Sequence, residues 1–251
     1  MKLFINIFLS TFLNFVFADN FVIEKNRPSD FVNLQQFIPQ MQFDIRYYGS
    51  HNFVGRRING YESPVCLITK SAAMALKKVE SKLLGMNLTL KAYDCYRPQR
   101  AVDDFANWAT QIDNVKMKKE FYPSVDKVNL FKENYIAYRS GHSRGSTIDL
   151  TIVPIQSAVP KYNKDTPLIS CIAPKQKRFP DNSLDFGTGF DCFSPVSHPL
   201  YQNLSAQILA NRLLLNTLMN EAGFKGIDSE WWHFTFANEA YPHTIFDFIV
   251  K

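Results

Sequence analysis

The sequence has little that would tie it to a bilayer, a nucleic acid or a closed metal–thiolate centre. No apolar run reaches the roughly 20 residues that a membrane-spanning helix needs. Basic residues exceed acidic ones only modestly, 28 against 23, for a net charge of +5 over 251 residues. No nucleic-acid-binding motif accompanies that excess. Runs such as Lys116-Met117-Lys118-Lys119 are therefore read as a solvated face. The four cysteines contain no Cys-x-x-Cys, which argues against a thiolate zinc site. There is no internal repeat, no low-complexity tract and no linker-like stretch. Hydrophobic residues make up 46% and charged residues 20%, which excludes disorder and favours one domain.

What is present begins with an export signal. Lys2 supplies a short positive segment, Leu3 to Val16 is almost wholly apolar, and Val16-Phe17-Ala18 offers small residues where a signal peptidase reads. Residues 1–18 are expected to be a signal peptide, with 19–251 as the mature domain. The product is expected to be periplasmic or secreted, with no stable membrane anchor after cleavage. The alternatives are a membrane anchor or a buried helix, and the apolar run is short for an anchor. Cys66, Cys95, Cys171 and Cys192 are an even number, which suits two disulfides in an oxidising compartment. Three pairings are possible. Nearness in sequence favours Cys66 with Cys95 and Cys171 with Cys192, and four buried thiols are the alternative.

Periodicity suggests the elements. Residues 19–42 show no strong period and read as an irregular arm with short strands. Phe43 to Tyr48 alternates as a strand. Ala72, Leu76, Val79 and Leu83 make one stripe of a helix over Lys70 to Leu84, capped by Thr69 or Ser71 and ended by Gly85. Leu88 to Asp94 alternates as a strand, and Pro98 suits the first position of a helix to about Trp108. Ile148, Leu150 and Ile152 face one side of a further strand, so Asp149 faces the other. Residues 154–200 are a long Pro-, Gly- and Ser-containing excursion, of the kind that serves as a substrate lid. Ser205 to Ala222 is the strongest helix, stopped by Gly223, and a strand carrying Trp232 to Phe236 follows. The mixture indicates an α+β fold.

The chemistry concentrates in two stretches. Ser140 to Leu150 places His142 and Asp149 seven residues apart, and Ser229-Glu230-Trp231-Trp232-His233 adds a second imidazole and a carboxylate. Two imidazoles and one carboxylate suit zinc and leave its fourth position open. The competing reading is a core histidine bonded to a strand aspartate, with an unrelated histidine elsewhere. Glu230 is the candidate base. On a regular strand it would point away from His233, so the chain there must bulge, or Glu230 must belong to the preceding loop. Otherwise it is a surface carboxylate or a partner of a ligand. Arg97 could face a developing oxyanion; alternatively it pairs with Asp94.

Three motifs occur in the order seen in D-alanyl-D-alanine dipeptidases. They are Tyr93-Asp94-Cys95-Tyr96-Arg97-Pro98-Gln99-Arg100-Ala101-Val102, Ser140 to Thr151, and Glu230-Trp231-Trp232-His233. The resemblance runs from about Phe43 to the C-terminal Phe246-Asp247-Phe248. It implies a central antiparallel sheet flanked by helices, related to D,D-carboxypeptidases and the Hedgehog signalling domain. It implies one Zn2+ per chain on His142, Asp149 and His233, Glu230 as general base, and Arg97 at the transition state. It further implies Asp191 at the substrate ammonium, Ser140 near its carboxylate, and Tyr47 and Tyr135 in the pocket, with a small D,D-dipeptide as partner. Two departures stand out: Cys95 where the antibiotic-resistance members carry glycine, and Gly141 in place of a serine found in many members. With the export signal, the first favours cell-wall turnover or salvage over vancomycin resistance; the second, next to a ligand, bears on pocket shape. Alternative functions are a D,D-carboxypeptidase or peptidase on longer peptidoglycan stems, and a non-catalytic zinc-bearing binding domain.

Overall fold

The computed structural model describes residues 21–251, so the expected signal peptide lies outside the described residues. Strands β1 (Val22–Glu24) and β2 (Phe31–Asn33) are followed by a one-turn helix α1 (Leu34–Phe37) and β3 (Gln42–Phe43). Then come β4 (Leu67–Thr69), α2 (Lys70–Leu84), β5 (Leu88–Asp94) and α3 (Gln99–Thr110). A short helix α4 (Lys118–Phe121) precedes β6 (Thr147–Pro154). The chain closes with α5 (Ala206–Glu221), β7 (Phe224–Ile227), β8 (Glu230–Phe236) and β9 (Thr244–Phe246). Among the described residues, no helix is long and apolar enough to cross a membrane.

A five-stranded sheet of order β3-β5-β6-β8-β7 positions the site. Three of its pairings are antiparallel, but β3 pairs with β5 in parallel, which corrects the all-antiparallel expectation. The reason is the route. Parallel neighbours need a crossover rather than a hairpin, and β4 and α2 provide it. The strand expected over 43–48 ends at Phe43. Asp44 and Arg46 still donate backbone hydrogen bonds to Ala92 and Tyr93 of β5, but the chain then turns at Tyr48 and Gly49. Small pairs, β1 with β9 and β2 with β4, tie the N-terminal arm down.

The stripe on α2 is buried as its spacing requires, with Ala72, Leu76, Val79 and Leu83 in the core. Thr69 occupies the N-cap position without capping. Its hydroxyl pairs with Ser146 Oγ at 2.8 Å, joining β4 to the segment before β6. Pro98 is the N-cap of α3 rather than its first helical residue. Helix α5 is capped by Ser205, whose Oγ accepts from the Ile208 amide, and Gly223 (φ +92°) follows its end. Only the Leu215, Leu218 and Met219 part of its stripe is buried; Ile208 and Leu214 are half-buried.

The long excursion is pinned rather than loose. Half-buried Asp181 accepts hydrogen bonds from Arg46, Lys91 and Tyr93. Buried Arg212 of α5 donates to the carbonyls of Phe186 and Val196. Two disulfides join Cys66 to Cys95 and Cys171 to Cys192, with Cα separations of 5.3 and 5.6 Å. The first bridges the start of β4 and the end of β5. The second fastens the excursion beside Asp191.

Candidate active site

Three adjacent strands present one row of polar side chains. A register shift in β5 sets Asp94 opposite Asp149 of β6, and Asp149 lies opposite His233 of β8. Asp149 does leave the face of Ile148, Leu150 and Ile152, as alternation requires, yet it is only 2% exposed. Both faces of β6 are covered, so the second face is a polar interior.

His142 is aimed at this row by a single 3-10 turn, Gly141–Arg144. Ser140 caps the turn, its Oγ accepting from the His142 amide at 3.3 Å. Gly145 ends it with φ +80°, where a side chain would run into the Phe31 ring. The His142 Nδ1 lies 2.7 Å from the Cys95 carbonyl oxygen. A carbonyl only accepts, so Nδ1 carries the proton and Nε2 turns a lone pair into the site.

The ligand atoms then form a near-equilateral triangle. His142 Nε2 is 3.2 Å from His233 Nδ1 and 3.3 Å from Asp149 Oδ1, and His233 Nδ1 is 3.1 Å from the same oxygen. Ligands on a tetrahedral zinc at about 2.0–2.1 Å are spaced roughly 3.3–3.4 Å apart. The donor set and its spacing therefore fit a metal ion, and these three residues could hold one.

Glu230 opens β8, where the pairing with β7 shifts between Gly226 and Ile227. That irregularity is the bulge the strand argument required. It swings Glu230 to the side of His233, with Oε2 3.7 Å from His233 Nδ1. Burial pushes the Glu230 carboxyl up to about 7; the His233 charge opposes this and the Asp149 charge adds to it. A base with such a value is matched to neutral pH.

Arg97 makes the pair with Asp94 that is the alternative to an oxyanion role, and it also lines the cavity. Its Nε donates to Asp94 Oδ2 at 2.9 Å, and Tyr61 donates to the other oxygen of the same carboxylate at 2.6 Å. Its Nη2 also reaches Asp149 Oδ2 at 3.5 Å, and the guanidinium lies over the Tyr47 and Phe105 rings. The Asp94 pair thus holds the guanidinium against the pocket.

Asp191 is buried at φ +56°, a conformation uncommon for a residue with a side chain. Tyr47 donates its hydroxyl to Asp191 Oδ2 at 2.8 Å. Among the described residues no cationic group lies within ion-pair distance. Burial raises this carboxyl well above the ordinary range, and the Asp149 charge adds to that; the Tyr47 hydrogen bond works the other way. Tyr135 stacks on Phe193 with centroids 5.0 Å apart. Arg97, Tyr47, Tyr135, Ser140, His142, Asp149, Asp191, Glu230 and His233 all line one cavity of ≈ 200 Å³.

The structure adds wall residues that pattern reasoning did not single out, chiefly Phe53, Phe193 and Arg139. Phe193 stands two residues after Asp191, a spacing that could have flagged it. Arg139 precedes Ser140, but an exposed arginine carries no signal by itself. A larger, more open groove of ≈ 730 Å³ shares Ile227 and Glu230 with this cavity and holds none of the three ligand residues.

A buried His–Asp–His triangle with a free carboxylate at its rim, at the bottom of a small cavity, is the arrangement of a metal-dependent hydrolase, and here of a metallopeptidase. The particular family follows from comparison. A family model described as D-ala-D-ala dipeptidase (Peptidase_M15) matches residues 27–158 and 179–251, and the chain belongs to that family. The unmatched stretch, 159–178, falls within the long excursion. The chain is 32% identical over 219 residues to a D-alanyl-D-alanine dipeptidase of Streptomyces coelicolor, covering 87% of this chain and 97% of the relative. It is 31% identical over 221 residues to one of Enterococcus faecalis, covering 88% and 98%. The Escherichia coli enzyme of the same name is 31% identical over 215 residues, covering 85% and 89%.

Proposed function

We propose that this chain hydrolyses free D-Ala-D-Ala to two D-alanines, with one zinc ion held by His142, Asp149 and His233. Bound there, zinc would polarise the scissile carbonyl and lower the pKa of a water molecule. Glu230 takes the proton from the attacking water as its oxygen bonds to the carbonyl carbon. Arg97 faces the carbonyl oxygen as negative charge develops on it. As the C–N bond breaks, Glu230 returns the proton to the departing amine. Asp191, oriented by Tyr47, receives the ammonium of the dipeptide, and Ser140 lies near its carboxylate. Tyr135 forms part of the wall.

The observation that carries this reading is the buried, cation-free Asp191 carboxylate in a cavity smaller than the roughly 300–1,000 Å³ of ordinary ligand pockets. A buried carboxylate calls for a positive partner, and a free amino terminus supplies one. A longer peptide has an amide at that position.

A second reading has one feature in its favour. The open groove beyond Ile227 and Glu230 could hold a longer stem peptide, which would make the chain a carboxypeptidase. The test is hydrolysis of D-Ala-D-Ala beside N-acetyl-D-Ala-D-Ala, with a Glu230→Ala control and a zinc assay. Cleavage of the free dipeptide alone, lost in the control, supports the dipeptidase. Cleavage of the acetylated form favours the carboxypeptidase.

The same reading extends to compartment and kinship. Export with cleavage after Ala18 would leave 19–251 as one periplasmic or secreted domain, serving cell-wall turnover or salvage of D-Ala-D-Ala. The apolar N-terminal run and the two disulfides support an oxidising destination. Kinship with the Hedgehog arrangement rests on the motif order and belongs to the same proposal. Mass spectrometry of the mature N-terminus checks the cleavage.

A further inference from the structure

Resting on the dipeptide reading above, the geometry points to Arg139 as the cationic anchor for the substrate's terminal carboxylate, acting beside the Ser140 hydroxyl.

The argument begins with charge. Five charged residues other than the two histidines line the cavity: Asp149, Asp191, Glu230, Arg97 and Arg139. A dipeptide at neutral pH is a zwitterion and needs one anion and one cation outside the reacting centre. Asp191 is the acid that Tyr47 hydrogen-bonds but that no cation pairs with among the described residues. Arg97 is committed, since it bonds Asp94 at 2.9 Å and reaches Asp149 at 3.5 Å. Arg139 makes no hydrogen bond or ion pair with any described residue, and it is the remaining cation on the wall.

The backbone at this position is held while the side chain is not. The carbonyl of Tyr138 accepts from Gln99 Nε2 at 3.1 Å, and Gln99 is itself bonded to Asp103 of α3 at 2.8 Å. On the other side, Ser140 caps the His142 turn through both its hydroxyl and its carbonyl, the latter accepting from the Ser143 amide at 3.2 Å. Arg139 therefore sits between two fixed residues with its guanidinium free to swing onto a ligand. The Ser140 Oγ accepts from the His142 amide, so its own hydrogen remains available for the same carboxylate. A guanidinium fork matches a carboxylate in two-point geometry.

The arrangement sets the direction of the substrate. The ammonium end lies at Asp191 and Tyr47, the carboxylate end at Arg139 and Ser140, and the scissile carbonyl between them at the His–Asp–His triangle. A terminal carboxamide in place of the carboxylate loses the ion pair, so Arg139 selects for a free C-terminus as Asp191 selects for a free N-terminus.

The test compares D-Ala-D-Ala with D-Ala-D-Ala amide on zinc-loaded wild type, Arg139→Gln and Arg139→Lys. Arg139 is exposed, so both variants are expected to fold; melting temperature and zinc content verify that. Wild type should prefer the free acid. Arg139→Gln should raise KM for the acid about 10- to 100-fold with little change in kcat, as expected for a lost charged hydrogen bond. It should leave the amide unaffected and so erase the preference, and Arg139→Lys should restore part of it. An acid-to-amide ratio unchanged in Arg139→Gln overturns the assignment and leaves the dipeptidase reading intact. Zinc-loaded wild type that cleaves neither compound overturns both.

Discussion

His142 Nε2 and His233 Nδ1 face each other at 3.2 Å across the floor of the cavity, each within 3.3 Å of Asp149 Oδ1. Two nitrogen lone pairs and a carboxylate at this spacing call for a cation. Dialysis against a chelator should abolish hydrolysis, and added zinc should restore it. Asp149→Ala should lose stoichiometric zinc. The sheet ladders run through the backbone and not through the three ligand side chains, so far-ultraviolet circular dichroism of the metal-free protein should be unchanged. Full activity in metal-free protein would sink the assignment.

Glu230 reaches the rim of the triangle only because the β7–β8 pairing is irregular. Glu230→Gln keeps the size and removes the base. kcat should drop by about 10²- to 10⁴-fold, with zinc content retained. Steady-state kinetics with metal analysis measures both, and a variant of near-wild-type kcat would remove Glu230 from the mechanism.

Arg97 and Asp94 form a pair in which Asp94 is fully buried and Arg97 nearly so. Arg97→Lys keeps the charge but loses the planar fork, and kcat should drop by roughly 10²- to 10³-fold. Arg97→Ala should add a folding defect of about 3–5 kcal/mol, because the Asp94 charge loses its partner. Denaturant melts beside kinetics separate the two effects. Equal stability of the Lys and Ala variants would contradict the structural half of the argument.

The Cys171–Cys192 bridge closes a separation of 21 residues and ends next to Asp191. Replacing both cysteines by alanine should cost about 3 kcal/mol. It should also raise KM more than it lowers kcat, since it loosens the ammonium subsite and not the triangle. A loss confined to kcat would place the effect elsewhere.

Asp181 is held well below the usual carboxylate range: burial opposes its charge, but the cations of Lys91 and Arg46 outweigh that. A depressed folded pKa stabilises the protein fully above the unfolded aspartate value of about 3.9. That contribution is lost as pH falls below this value toward the folded pKa. Asp181→Asn should therefore lower the melting temperature at pH 7. The gap to wild type should hold down to about pH 4 and narrow as pH drops from there toward about 2. A gap independent of pH would mean that the carboxylate charge is not what secures the excursion.

Much of this molecule was legible because local rules govern it. The α2 stripe, the alternation of β5 and β6, the extent of α5 with Gly223 behind it, and both near-neighbour disulfides follow from spacing and residue type. The expectations that failed depended on distant partners. The strand begun at Phe43 stops there and turns, with the Arg46 side chain drawn to Asp44, Asp181 and His51. The stripe on α5 is half covered because only part of it meets the core.

By itself, the sequence determined which groups could do chemistry: two imidazoles, a strand carboxylate turned from the apolar face, a glutamate three residues before a histidine, and an arginine before a proline. Those are properties of residue type and short-range period. Only the tertiary structure decided that Asp94, Asp149 and His233 share one row. It also decided that Glu230 turns inward at a register shift and that, among the described residues, Asp191 is buried without a cation and Arg139 is an unpaired cation at the cavity. Strand register, burial and the balance of charges in a cavity are set by pairings between residues far apart in the chain, such as Tyr47 with Asp191 at |i−j| = 144 and Asp30 with Tyr241 at |i−j| = 211. No local pattern encodes which of many polar side chains will meet at that range, because the meeting depends on how the whole core packs.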